Sequence, residues 1–464
     1  MAGWSGRSGR SLRPARPGSV ARRGGWPKLP KLPAAIVRTC RGPARVWKRR
    51  FGTNCPGSRQ PADPIAGTVP PVARWQQSRP PAPRPGCRAA CGLSNGKLRR
   101  INTVSNSGLN QQTVERVLDE FTDPEMGRGL VALEQVRDLK LSDGRLALTL
   151  GLTSFSAPLW DQTRADLVEH LRSRLPQLSE VEIALVEHHR PPQKLGEIGL
   201  EAKAVIAVGS GKGGVGKSTI AAALAIGLAR AGAKVGLMDA DVYGPSIPHL
   251  LGTEQRPVIR DGKIEPVVVE GVRLLSMGLL VPAQEAVIWR GPMLHGAITQ
   301  FLRDTAWGQL DYLVIDMPPG TGDIAITLSQ LLPLTGSVVV CTPQDVALLD
   351  AAKAITMFRK VNIEVLGMVE NMSHFICPEC GSRHEIFGSG GARKRAAEMH
   401  VPFLGEVPIN IQVRIRGDEG TLFSCFDDEA VAPYLEGICT TLVKQIVSRR
   451  RRQPPMPSLS VLPS

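Results

Sequence analysis

The chain has 464 residues, a formal net charge of +15 and 42% hydrophobic residues, which allows two or three domains. It holds no run of eighteen apolar residues, so no transmembrane helix is predicted. The positive charge is concentrated: residues 1–100 carry 22 Lys and Arg and one acid, Asp63, leaving 35 basic and 41 acidic residues in the remainder, a net of −6. The folded part therefore lacks the basic balance of a nucleic-acid binder.

Residues 1–105 read as a disordered Arg/Pro/Gly-rich extension, because they have no hydrophobic period with which to bury a core. Three readings fit: an organelle transit peptide, a nucleic-acid-binding arm, or translated upstream sequence with the start near Val104 or Leu109. High proline content favours the third. No secretory apolar region is present, so the expected location is cytoplasmic, with organelle import if the extension is a transit peptide. Of nine cysteines, Cys40, Cys55, Cys87 and Cys91 fall in this extension, while Cys341, Cys425 and Cys439 stand alone. No disulfide framework is evident, which suits a reducing compartment.

Residues 110–190 predict a small α/β domain. Val114, Val117, Leu118 and Phe121 form a helical face. Val136–Leu141 and Arg145–Leu150 alternate like a hairpin across Ser142-Asp143-Gly144. A helix is expected over Asp161–Arg174 and a strand over Val181–Val186, followed by a polar linker over 191–203. From 204 to 447 strands and helices alternate. This predicts an α/β fold with a doubly wound, mostly parallel sheet of the P-loop NTPase type, preceded by the small α/β domain.

Ala204–Val208 reads as a buried strand and Thr219–Arg230 as a helix. Between them Gly211, Lys212, Gly213, Gly214, Val215, Gly216, Lys217, Ser218 and Thr219 satisfy the G-x-x-x-x-G-K-[ST] pattern. Glycines let the backbone wrap a phosphate with its N–H groups inward, at a helix N-terminus. Lys217 supplies a point charge for the outer phosphates of ATP, and Ser218 a hydroxyl for Mg2+. Lys212 is an extra lysine, pointing away from its own phosphates unless a second chain brings it back, which hints at a dimer.

Lys234–Asp239, Tyr312–Asp316, Val338–Cys341 and Val365–Val369 read as further strands. Asp239, Asp241, Asp316, Thr342 and Asn371 fall at or just beyond strand carboxyl ends, where ligands bind in such sheets. Asp316 is expected to hold the magnesium, and Pro318-Pro319-Gly320-Thr321-Gly322 to act as a switch. Asp241 is a candidate for orienting water, with Asp239 nearer the metal.

Cys377-Pro378-Glu379-Cys380-Gly381 can grip one soft metal or one cluster edge. Two thiolates are half of the usual ligand set. Three readings stay open: a 4Fe–4S cluster bridged by two chains, a zinc site completed within one chain by His374 and His384, and a free dithiol. Near the C-terminus, Tyr434, Leu435, Ile438, Leu442 and Ile446 predict a helix packed on the core. Residues 448–464 form a basic, Pro-rich tail, with Arg449–Arg452 a solvated end or, alternatively, part of a membrane-surface helix.

The lysine-bearing loop, Asp239–Ser246, Trp289-Arg290-Gly291-Pro292-Met293, Asp316–Asp323, Thr342–Ala347 and Glu370–Ser373 together resemble the Mrp/ApbC iron–sulfur carrier ATPases. These belong to the deviant phosphate-loop group that includes MinD, ParA and the nitrogenase iron protein. The likeness spans about residues 110–440. It implies a homodimer with nucleotide at the interface, Lys212 reaching the partner's phosphates, Asp241 in hydrolysis and Asn371 at the adenine. It also implies a 4Fe–4S cluster bridging two subunits through Cys377 and Cys380, for delivery to apo iron–sulfur proteins. In that family a cysteine often precedes the proline of Thr153–Pro158. Ala157 stands there in this chain, leaving the small domain an interaction or docking role. The alternative is a MinD/ParA-type spatial regulator acting on membrane or DNA. No stable nucleic-acid or membrane partner is expected of the carrier.

Overall fold

A computed structural model describes residues 109–242, 244–280, 291–320 and 322–452. The 1–105 extension, Tyr243, Trp289, Arg290, Thr321 and the tail from 453 onward lie outside the described residues. Among those described, no helix is long and apolar enough to cross a membrane.

The small domain consists of α1 (Gln111–Glu120), β1 (Val136–Ser142), β2 (Arg145–Leu152), α2 (Trp160–Arg174) and β3 (Glu180–Glu187). Asn110 caps α1, its side chain accepting from the Thr113 N–H at 2.9 Å, the usual relief for an unpaired helix-start donor. β1 and β2 pair antiparallel across Asp143-Gly144, both in the left-handed region, and β3 lies parallel to β2. Val114, Val117 and Leu118 of α1 and Leu167 and Leu171 of α2 cover Leu146, Leu148 and Leu150 of β2 in one core.

The chain then forms β4 (Lys194–Leu195) and β5 (Leu200–Ser210). The segment 191–203 is thus partly strand: β4 folds antiparallel onto the start of β5, satisfying backbone that a free linker would leave to water. Next come α3 (Lys217–Arg230), β6 (Val235–Asp239), α4 (Ile247–Leu250), β7 (Val258–Arg260), β8 (Lys263–Glu265), β9 (Val267–Val269) and β10 (Val272–Ser276). They are followed by α5 (Met277–Leu280), α6 (Gly291–Asp304), β11 (Leu310–Asp316), α7 (Gly322–Leu331), β12 (Gly336–Cys341) and α8 (Asp345–Lys360). The last group is β13 (Val365–Ile376), β14 (Arg383–His384), α9 (Gly391–Glu398), β15 (Phe403–Ile409), α10 (Ile411–Asp418) and α11 (Ala432–Arg452).

The central sheet runs β14-β13-β12-β5-β11-β6-β10-β9, with β15 also on β13 and β4 on β5. Its inner pairs are parallel, and β4, β9 and β14 are the antiparallel additions. The interior strands are apolar on both faces, as a sheet covered on both sides requires. One face packs on α3 and α11, the other on α6, α7 and α8, in two hydrophobic cores. This is the doubly wound α/β architecture expected from the alternation of elements.

The small domain is anchored to the larger one. Thr153 leads into a short turn, Ser154–Leu159, which buries Phe155 completely. Its ring stacks on Tyr312 of β11 at 4.8 Å, and the Tyr312 hydroxyl donates to the Phe155 carbonyl at 2.5 Å. Burial pushes the Tyr312 phenol well above its ordinary range, so it stays a donor. Beside it, Glu125 accepts from Thr153 (2.5 Å) and faces Arg190 (3.3 Å) and Lys203 (3.8 Å), while Lys203 also pairs with Asp311 (3.1 Å).

The end of α11 differs from a solvated basic tail. Leu435, Ile438, Leu442 and Ile446 are buried as expected. The arginines then turn inward: Arg449 donates to the Val365 carbonyl (2.8 Å), Arg450 to that of Lys203, and Arg451 to that of Thr122 (3.3 Å). The Arg450 guanidinium lies 4.4 Å from the Phe155 ring centroid. An arginine with a carbonyl acceptor, a carboxylate neighbour and an aromatic face gains more by packing than by hydration. Arg450→Ala should therefore destabilise the chain by about 1–3 kcal/mol, read as a lower thermal midpoint, whereas Arg452→Ala should leave the midpoint unchanged.

Candidate functional site

The carboxyl ends of three adjacent strands set the site. Ser276 of β10, Asp239 of β6 and Asp316 of β11 stand in register across the sheet. The glycine loop leaves β5 next to them and enters α3 at Lys217. Gly214 and Gly216 adopt φ of 80° and 81°, where an L side chain is strained. A Cβ at Gly216 would also collide with the amide of Asn371, and one at Gly211 with the backbone of Asp350. The Ser210 hydroxyl holds the loop by donating to the Lys212 carbonyl at 2.9 Å.

Lys217 is buried and reaches three groups: Asp316 Oδ1 at 2.5 Å, Ser218 Oγ at 3.2 Å and Asp241 Oδ2 at 3.6 Å. Asp316 is wholly buried, and its Oδ2 has no hydrogen-bond partner among the described residues. Burial raises its pKa, opposed by the Lys217 ammonium. Asp239 accepts from Ser276 Oγ (2.8 Å) and from the Asp241 N–H (3.1 Å). Burial, and then the charge of Asp316, push its carboxyl up to about 7. Ser276 is a member of this group that sequence patterns do not disclose; no motif marks a serine 37 residues from its partner.

Asn371 lies on β13 beside the loop, and its side-chain N–H donates to the Val215 carbonyl at 2.9 Å. Lys212 is half-buried on the loop and forms no side-chain hydrogen bond or ion pair among the described residues. The structure thus brings Lys217, Ser218, Asp241, Asp316 and Asn371 to one place, with Thr219 in the first turn of α3.

The thiols lie farther along β13. Beyond Glu370 this strand continues to Ile376 and turns back through β14, pairing Phe375 with His384 and Ile376 with Arg383. Cys377 and Cys380 occupy the turn, closed by Gly381 N–H to the Cys377 carbonyl (2.9 Å) and Cys377 N–H to the Ser382 carbonyl (3.0 Å). Cys380 is exposed and Cys377 half-buried. Cys380 Sγ lies 3.1 Å from Ser382 Oγ. Contact with Ser382, and then with Cys377, lowers the Cys380 thiol below its ordinary value.

The single-chain zinc site is not formed. Among the described residues, no group of three His, Cys, Asp or Glu side chains is arranged to hold a metal ion. His374 is buried with its Nδ1 2.8 Å from Ser373 Oγ, while His384 packs beside Phe375. The other cysteines behave as core residues: burial pushes Cys341 and Cys439 up to about 12 and raises Cys425.

A phosphate loop on a doubly wound sheet, with acids at the neighbouring strand ends, defines a P-loop NTPase. The family described as ParA, NUBPL iron-transfer P-loop NTPase, matches residues 201–443, and one described as iron-sulfur cluster assembly protein matches 111–185. An iron-sulfur cluster carrier protein of Deinococcus radiodurans is 47% identical over 340 residues, which cover 72% of this chain and 95% of that one. One from Synechocystis is 42% identical over 354 residues, covering 74% and 98%. A solved nucleotide-binding protein in complex with ADP from Archaeoglobus fulgidus is 43% identical, covers 48% of this chain and 88% of that chain, and has a TM-score of 0.43. This chain belongs to the NUBPL iron-transfer P-loop NTPase family.

Two outcomes follow from the geometry. In the native chain near neutral pH, iodoacetamide should label Cys380 and Cys377 but not Cys341, Cys425 or Cys439, as peptide mapping would report. Asp239 has a folded pKa of about 7 against 3.8 in a model peptide. The unfolded chain loses this proton first, so the associated stability is present below about pH 4 and lost as pH rises through 7. Asp239→Asn should flatten the fall in stability of the nucleotide-free protein over that window.

Proposed function

We propose that this chain is an ATP-dependent iron–sulfur cluster carrier, which holds a 4Fe–4S cluster between two subunits and passes it to apo-proteins. The observation that carries this reading is the accessible Cys377–Cys380 turn, a site with two soft ligands, in a chain that also bears a phosphate loop. Two thiolates satisfy half of a cluster's usual ligation, so a symmetric pair of chains completes it. The carrier names of the relatives support the cargo.

The nucleotide site fits the same reading. The buried, unpartnered Asp316 Oδ2 and the Ser218 hydroxyl suit a magnesium ion, which when bound with ATP offsets phosphate charge. Gly211, Gly213, Gly214, Val215, Gly216 and Thr219 supply loop and helix-start backbone to the phosphates. Lys217 exchanges Asp316 for the outer phosphates. Asn371 contacts the adenine, and Asp241 orients the attacking water. Lys212, without an ionic partner among the described residues, reaches the phosphates of the second subunit. Hydrolysis is slow and changes the dimer interface, and with it the hold on the cluster.

Anaerobic reconstitution tests the cargo: about four irons per two chains and broad visible absorption, both lost in Cys377→Ala with Cys380→Ala. Retention in that double variant, or zinc in place of iron, would rule the reading out. Asp241→Asn should lower ATP turnover by about 100-fold or more, and Lys212→Ala should abolish ATP-dependent dimerisation in sedimentation while the monomer stays folded.

A further inference from the structure

β13 joins both sites. Asn371, the residue bonded to the glycine loop, and Cys377 are six residues apart on one chain segment, a span of at most about 20 Å. The strand between them is irregular. Its pairing with β12 stops at Glu370, opposite Cys341. On the other side Asn371 faces Val407 and Phe375 faces Ile409, so four steps along β13 match two along β15. Met372, immediately after Asn371, has a φ of +56°, which is costly for a residue with a side chain.

The hydrogen bonding of this bulge is also incomplete. The Ser373 hydroxyl lies 3.2 Å from the Val407 carbonyl and 2.8 Å from His374 Nδ1. His374 Nε2 is buried and has no hydrogen-bond partner among the described residues. A strained residue, surplus strand length and an unsatisfied buried atom coincide between the nucleotide loop and the thiols. Beyond the bulge the segment pairs in register with β14, Phe375 opposite His384 and Ile376 opposite Arg383.

We propose that the Met372–His374 bulge is the positioning element through which nucleotide binding resets the Cys377–Cys380 turn. Phosphate entering the loop moves the Val215 carbonyl and crowds Gly216 against the Asn371 amide. Asn371 shifts, the bulge takes up or yields length, and the Phe375–Arg383 ladder carries the displacement to the thiols. Met372 touches neither reacting group; it acts through strand register.

The inference rests on the reading of these thiols as cargo ligands, but its test needs no cargo. Alkylation rates of Cys377 and Cys380 are measured in the cluster-free full chain, with and without Mg-ATP, while iron content reports separately on the carrier reading. Wild type should show a change of about fivefold or more on adding nucleotide. Met372→Gly removes the strain because glycine accepts this φ; there the change should fall below about twofold, with nucleotide affinity kept. Met372→Ala retains the strained backbone and should keep the wild-type response. An unaltered response in the glycine variant, its loss in both variants, or no response in wild type would overturn the proposal. So would a response that tracks only the dimer fraction seen by sedimentation at the same concentrations.

Discussion

Lys217 faces Asp316 at 2.5 Å and Asp241 at 3.6 Å in a pocket where Asp239 is also buried. Three carboxylates and one ammonium in a poorly hydrated space cannot all be ionised without strong self-repulsion. Without nucleotide, the balance is reached by the proton that Asp239 keeps up to about pH 7 and by the ion pair that Lys217 makes with Asp316. Both arrangements are provisional. In the proposed nucleotide complex a phosphate group offers Lys217 a stronger partner, and a cation with it relieves the acids. On that proposal the affinity of the pocket for a metal-bound polyphosphate originates in the imbalance of its own charges.

That pocket is rigidly framed because its members stand on neighbouring parallel strands. Ser276, Asp239 and Asp316 share one register row, and Asp316 also ties the next segment through its carbonyl to the Ala240 N–H at 2.9 Å. β11 carries constraints at both ends. Its start, Asp311 and Tyr312, is locked to the small domain by Lys203, Phe155 and the Arg450 guanidinium. The segment Ser154–Leu159 is therefore committed within its own chain. Phe155, buried against Tyr312, makes that segment a wedge.

Much of this was legible in the residues because local rules dominate there. The glycine loop, the strand-end acids, the hairpin at Asp143-Gly144 and the thiol turn each depend on neighbours in sequence. What escaped is what depends on distant partners. Four consecutive arginines read as a solvated end, yet Arg450 finds Phe155 and Glu125 some 300 residues away. The polar stretch before residue 204 read as linker, yet Leu195 meets Leu200 in a strand pair. His374 looked like a metal ligand by spacing; burial at the bulge gave its Nδ1 to Ser373 instead. Positive φ at Met372 has no compositional mark, since it arises from two strands pairing at unequal length.

The thiol site is less complete than the nucleotide site. Around Lys217 the roles assigned to Ser218, Asp241 and Asp316 all have candidates within one chain. Around Cys377 and Cys380 the described residues supply no third ligand, and Ser382 favours the thiolate of Cys380. Thiolates that are ready to bind but too few to enclose a metal bind weakly alone and tightly in pairs. The same logic applies to Lys212, a cation on the phosphate loop with no anionic partner among the described residues. In the proposed dimer a second copy remedies both deficits at once, and ATP helps to hold that copy in place. On that proposal cargo affinity is a function of nucleotide state without any ligand shared between the two sites, because each contributes to the same association equilibrium.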